Sequence, residues 1–514
     1  MKRGFPAFLI FLLIGTAADA ALKLDSQIIG RRDNTPGMYL RVIVTSQADH
    51  KLSFDMTLKD PYSKSNIDIL DQEIEAGREK IFNLAIPLVK SPMVEVRDSD
   101  GERAAAGSSW IVREFLNICE LEEWASEKQL QDFSTNNRLA ANNVSQLEPR
   151  MLPDNWLCYT PFRGVFVRES AFNSLNEAER NALVSWVDSG GILTIYGSDR
   201  NEIVTSMLGT IVYQASHPIK DGLQNHNQGD LAWYYSNISM KQFPYSVKKT
   251  AGKLGGFLLA TLFLIVAGPL NYSYFWKRKK IRMILVSLPL ISIAFCFLII
   301  LYFIMSQGFA KKGGSYSLSV HEEKRDAGFT FAFHSLFSGL YPLGGFKFDR
   351  TTAFIPIGKS ANFTMDATKN LHLKSGLFTP SINFYYFTAA PFKTREKLIH
   401  DPRENIVTNG FEKNILALVF QDGAVLFEAR DIAPGEKKKM TRLDEKNILS
   451  AFNSLALDSG EKDFQSSVLG GLLNPLSSRG RIRYILRFKD NIASVQTGTK
   501  IRAKRNCALL VGIE

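Results

Sequence analysis

Cysteine is scarce, four in 514 residues, too few for a disulfide framework to hold the fold. Histidine is scarce as well, seven in all, and neither a phosphate-cradling glycine loop nor paired Cys/His zinc spacing occurs. His217 and His226, with Asp221 and Asp230 nearby, come closest to a metal donor set. The polar stretch around them reads as a solvated loop, so no metal and no cofactor is expected. Extremes of composition are also missing. Hydrophobic residues make up 45% and charged residues 22%, which excludes a disordered, collagen-like or coiled-coil chain. A mean hydropathy of −0.07 excludes a polytopic transporter. What remains is a formal net charge of +11, compatible with nucleic acid or an anionic membrane until its location is known.

Long apolar runs are few, and their positions are informative. Residues 1–20 combine Lys2-Arg3, an apolar stretch from Phe5 to Ile14 and Ala18-Asp19-Ala20, the three parts of a secretory signal peptide. Residues 254–276 and 283–305 are each 23 residues without a formal charge, long enough to span about 30 Å of hydrocarbon as helices. Between them stand Lys277, Arg278, Lys279, Lys280 and Arg282. A basic excess of this kind marks a cytoplasmic loop, so residues 277–282 are expected inside and both large segments outside. Pro269 predicts a kink in the first span. Asn271 can bond a neighbouring helix or a headgroup, and reads as part of an interfacial Asn/Tyr/Trp anchor. Neither span carries an ionisable group, so transport is not expected. Part of the basic excess is this topogenic loop and most of the chain is expected outside the cytoplasm, so nucleic acid drops out as a partner.

The outer segments differ in pattern. Residues 21–110 hold short alternating strands, among them Leu52 to Leu58 with Leu52, Phe54, Met56 and Leu58 on one face, spaced as in an immunoglobulin-like β-sandwich. Residues 111–245 turn to α/β. The strand Gly164 to Arg168 is followed by a helix opened by Asn176 and Glu179, a capping-box pattern. Ala178, Ala182, Leu183, Trp186 and Val187 form its apolar stripe. Gly190-Gly191 then ends the helix before the strand Ile192 to Tyr196. Strand, helix and strand in this order imply a parallel sheet. Residues 313–514 return to β character, with a helical interruption near Glu445 to Leu457 and a last strand from Arg481 to Phe488. The rows Lys437 to Lys439 and Arg481, Arg483 and Arg487 read as a solvated sheet face.

Leu152-Pro-Asp-Asn-Trp156, Tyr159, Val165-Phe-Val167, Leu175 to Leu183, Trp186-Val187, Gly190-Gly191 and Leu193 resemble class I glutamine amidotransferase-like domains of bacterial envelope proteins. The wider resemblance is to a largely uncharacterised membrane family with a signal peptide, a sandwich, such a domain, two spans with a Gly-Pro-Leu-Asn-Tyr run, and a terminal β-domain. It implies a multidomain α+β membrane protein: β-sandwich, flavodoxin-like α/β domain, transmembrane hairpin and C-terminal β-rich domain.

Active class I amidotransferases carry a Cys nucleophile on a strand-to-helix elbow with a His–Glu pair. Cys119 sits within an apolar stretch without adjacent glycines, and Cys158 precedes its strand. Both are expected to be inert buried thiols. Ser198 in Gly197-Ser198-Asp199 follows a strand but lacks the G-x-S-x-G pattern and reads as a loop cap. No catalytic residue is therefore expected. The leading expectation is a non-enzymatic protein of the bacterial cytoplasmic membrane, with the bilayer and an envelope protein as partners, acting in protein interaction or scaffolding as an auxiliary subunit of an export or envelope system. A membrane-anchored hydrolase is one alternative. A cell-wall glycan-binding module, using the aromatic cluster Trp233-Tyr234-Tyr235, is another.

Overall fold

The computed structural model describes residues 21–30, 38–60, 65–86, 92–99, 101, 103–107, 115–118, 144–215, 253–307, 312–337, 345–357, 363–375, 384–445, 447–456, 476, 481–488 and 502–513. The expected signal peptide, Cys119, the His217/His226 loop and Trp233 to Tyr235 lie outside them. The fold is mostly β, with a few helices, two of which are long and apolar enough to cross a membrane.

Near the N-terminus the period-two pattern does what it implies. The strand Leu52–Asp60 buries Leu52, Phe54, Met56 and Leu58, and Met38–Ser46 buries Met38, Leu40, Val42 and Val44. These two rows meet in one core, contributed by a three-stranded and a seven-stranded sheet. The seven-stranded sheet is not made from its own sequence segment alone. Strands Phe346–Phe348, Thr364–Asp366 and Leu371–Ser375, from beyond both apolar helices, extend it. Thr364–Asp366 lies parallel to Ser65–Ile74, with Met365 opposite Ile67.

A six-stranded sheet follows. Its five parallel strands run, in spatial order, Val144–Leu147, Phe115–Ile118, Gly164–Arg168, Ile192–Tyr196 and Thr210–Gln214. Glu202–Thr205 pairs antiparallel at one edge. The helix Glu177–Asp188 opens with the expected capping box: the Glu179 amide donates to Asn176, and the Asn176 amide donates to the Glu179 carboxylate.

A nine-stranded sheet dominates the half after the two apolar helices. Its centre is the parallel pair Lys312–Glu322 and Arg502–Ile513. The second strand corrects an expectation, because Arg481 to Phe488 is not the last strand. Its replacement lies at the centre of the sheet, where Ala508 to Ile513 are buried on both faces and leave no alternation to read. Leu509 and Val511 join one continuous core with the α/β layer, while Ala508 and Leu510 face the other way, into a core with a small three-stranded sheet. The helix expected near residues 445–457 runs Ile448–Ala456, with Ile448, Ala451 and Phe452 buried against the nine-stranded sheet.

The two apolar helices stand apart from these cores. Lys253–Ile265, Val266–Leu270 and Asn271–Lys277 form one rod, turning back into Ile284–Gln307. Pro269 lies in the middle stretch, a turn of π-helix. Proline donates no amide hydrogen, and the wider turn absorbs the missing bond. Asn271 is buried and accepts a hydrogen bond from the Ser287 hydroxyl at 2.9 Å on the opposite helix.

Candidate functional site

Two places gather polar side chains around the α/β layer: the junction with the nine-stranded sheet, and the carboxyl ends of the parallel strands.

The junction starts from the end of the helix Glu177–Asp188. Gly190 takes φ +120°, a left-handed conformation costly to residues with a Cβ. Its amide donates to the Val187 carbonyl, and the Gly191 amide donates to that of Trp186, closing the helix in a Schellman motif. Gly191 is needed for a different reason. A Cβ there would lie 2.4 Å from the Trp186 indole. The glycine pair thus seats Trp186 in the core and directs Asp188 out of the helix end. Asp188 is 5% exposed. Its carboxylate accepts from Arg325 Nη1 at 2.9 Å and Nη2 at 3.1 Å, and also from the Ser206 hydroxyl. Arg325 additionally bonds Ser206 Oγ and Glu322, while Arg481 donates to the Ser206 carbonyl at 2.5 Å. Arg483 and Tyr484 both bond Glu323.

A second seam lies near Trp156. Its indole donates to the Thr351 carbonyl at 2.7 Å, Asn155 donates to the Arg350 carbonyl, and the Trp156 ring meets Phe329 edge-on at 5.1 Å. Residues separated in sequence by both apolar helices therefore hold one another. Arg481, expected on a solvated face, instead belongs to the junction through Ser206, whereas Arg483 pairs with Glu323 within the nine-stranded half and keeps 37% of its side chain exposed. Of the residues that carried the amidotransferase resemblance, the apolar Leu152, Trp156, Tyr159, Val165, Val167, Leu175, Leu183, Trp186, Val187 and Leu193 enter the continuous core. Their pattern is one of packing. Asp188, Arg325 and Ser206 were not singled out from sequence, since an ordinary Asp, Arg and Ser carry no local signal of a partner more than a hundred residues away.

At the carboxyl ends of the strands, Ser198 is buried. Its hydroxyl donates to Glu169 at 3.1 Å and accepts the Arg200 amide at 3.3 Å. The second bond is a serine turn that caps the loop after Gly197. Cys158 sits in the short helical turn Trp156–Tyr159 with no exposed surface. Burial pushes its thiol well above the usual range, and the Asp154 carboxylate adds to the shift. Ser198 and Cys158 stand in separate elements and share no hydrogen bond. Among the described residues no group of three or more His, Cys, Asp or Glu side chains is placed to hold a metal.

No protein-family model matches the sequence, and no curated protein matches it. Solved structures resemble parts of it only distantly. The ApaA protein of Bordetella pertussis is 10% identical, with 17% of this chain and 87% of that one aligned and a TM-score of 0.13. The yeast delta-COP-I mu-homology domain is 7% identical, covering 40% of this chain and 95% of that one at a TM-score of 0.19. A GH20 exo-β-N-acetylglucosaminidase of Vibrio harveyi is 10% identical over 31% of this chain and 32% of that one, at a TM-score of 0.13. Likenesses this slight define no shared fold.

Proposed function

We propose that the chain is a non-enzymatic envelope protein of the bacterial cytoplasmic membrane, held by a helical hairpin and presenting its sandwich, α/β and β-rich parts outside the cell membrane to a protein partner. One observation carries this reading. Segments before and after the hairpin share a sheet, through Met365 opposite Ile67, and share the Asp188–Arg325 clamp. Chain that meets in one sheet must lie on one side of a bilayer, so two crossings bring the second segment back to the first. The basic turn Lys277 to Arg282 then faces the cytoplasm by its charge. The parallel-strand order, second, first, third, fourth, fifth, is that of flavodoxin-like sheets and supports the amidotransferase-like assignment. The enclosed Cys158 thiol supports a domain used for shape rather than for covalent chemistry. The test is complementation of a deletion strain. Cys158→Ser and Ser198→Ala should restore the phenotype at normal protein levels, whereas disrupting the junction with Arg325→Glu should not.

A hydrolase remains the second reading because of one contact. Ser198 bonds the Glu169 carboxylate at the strand ends, the edge where open α/β sheets place ligands. Loss of complementation by Ser198→Ala, with unchanged protein levels and melting temperature, would favour it.

A further inference from the structure

The turn between the two apolar helices is built unlike the other helix end of the same kind. The rod ends at Lys277, Arg278 is its cap, and the Lys279 amide donates to the Trp276 carbonyl while the Lys280 amide donates to that of Phe275. This is again a Schellman motif, with Lys279 at the left-handed position, φ +56°. At the end of Glu177–Asp188 the same position is filled by Gly190. Here a lysine occupies a site where glycine costs less by about 1 kcal/mol. All of Lys277 to Arg282 are exposed. Arg278 lies over the Tyr274 ring at 4.4 Å, leaving Lys277, Lys279, Lys280 and Arg282 directed to the surroundings. Nothing within the hairpin balances them, since residues 253–307 contain no Asp or Glu. The helix dipoles do not help either: a partly negative C-terminus and a partly positive N-terminus meet at the same turn and offset each other. Exposed Tyr272, Tyr274 and Trp276 place this charge at the depth where aromatic side chains meet headgroups.

We infer that this turn is a binding site for anionic lipid headgroups, phosphate diesters of the phosphatidylglycerol class, which supply the negative charge that the hairpin itself lacks. The inference rests on the hairpin crossing a bilayer, as proposed above. Each cation near an anionic surface adds favourable energy that salt screens, so the site selects headgroups by charge and loses that selectivity at high ionic strength.

The full chain, purified in detergent with equal amounts of phosphatidylglycerol and phosphatidylcholine of matched acyl chains, tests this by native mass spectrometry. The expected result is retention of phosphatidylglycerol about fivefold or more over phosphatidylcholine, falling towards parity in Lys277→Gln/Lys280→Gln/Arg282→Gln and at about 1 M salt. Lys279→Gly suits the turn's backbone, so it should weaken the selectivity without lowering the melting temperature. Equal retention of the two lipids, or selectivity untouched by the triple variant, overturns the inference. Alkaline extraction of native membranes separates the two readings. A chain that stays in the membrane but shows no selectivity refutes only the lipid site, whereas a chain that is extracted refutes the hairpin reading and the lipid site with it.

Discussion

Asp188 and Arg325 form a two-toothed ion pair, 2.9 and 3.1 Å, between a helix that ends before the two apolar helices and a turn that follows them. The Asp188 side chain is 7% exposed and that of Arg325 37%, so one charge is enclosed and the other reaches the surface.

Removing the cation strands the carboxylate. Breaking a buried pair costs about 3–5 kcal/mol, and exposure of Arg325 discounts this, so Arg325→Met is expected to destabilise by about 2 kcal/mol in urea melts. Asp188→Asn/Arg325→Met should cost less than the sum of the single changes. Strict additivity would show that the pair is not coupled.

The two glycines are expected to fail differently. Gly190→Ala strains only the backbone and should cost about 1 kcal/mol. Gly191→Ala drives a methyl into the Trp186 ring and should cost more, about 2–3 kcal/mol. Trp186→Leu, harmful alone, should make Gly191→Ala cheaper. Equal penalties at the two positions, with no relief from Trp186→Leu, would contradict this assignment.

How much of this was legible in the sequence depends on whether the signal is local. The helix Glu177–Asp188 could be read because its cap, stripe and stop lie within sixteen residues. The apolar helices were legible from length alone. Thr364–Asp366 was not, because three residues carry no period, and its register is set by Ser65–Ile74 almost three hundred residues earlier. The same holds for Asp188 and Arg325. For Ser198, the sequence suggested a loop cap, and the Arg200 amide bond has that form, but the Glu169 contact depends on the sheet bringing two strand ends together.

Acid is expected to weaken the fold through His334. Its ring stacks on Tyr386 at 4.6 Å and shares a hydrogen bond with Thr388, and burial lowers its pKa to about 3. An unfolded histidine titrates near 6.5, so its contribution is complete above that pH and is lost as pH falls from about 6.5 towards 3, by at most about 1.4 kcal/mol per unit. His334→Gln should flatten the urea-midpoint profile between about pH 6.5 and 5. An unchanged slope would exclude His334 as its source.

Cys158 should be silent until the protein unfolds. Burial raises its thiol pKa, so little thiolate forms and no reagent reaches it. Iodoacetamide at about pH 8 should label it only in denaturant. Labelling of the folded chain at the rate of a free thiol would contradict its enclosure.

The central claim is that chain before and after the hairpin forms one body on the outer side of the membrane. The most direct measurement places cysteines at Asn66 and Thr364, partners in adjacent parallel strands, together with a protease site in the Lys277–Arg282 turn. In intact cells the pair should oxidise to a disulfide that a membrane-impermeant phosphine reductant reverses. After lysis and cleavage of the turn, the two halves should migrate as one species until reduced. Halves that separate without reduction, or a disulfide that the reductant reaches only after lysis, would contradict the account.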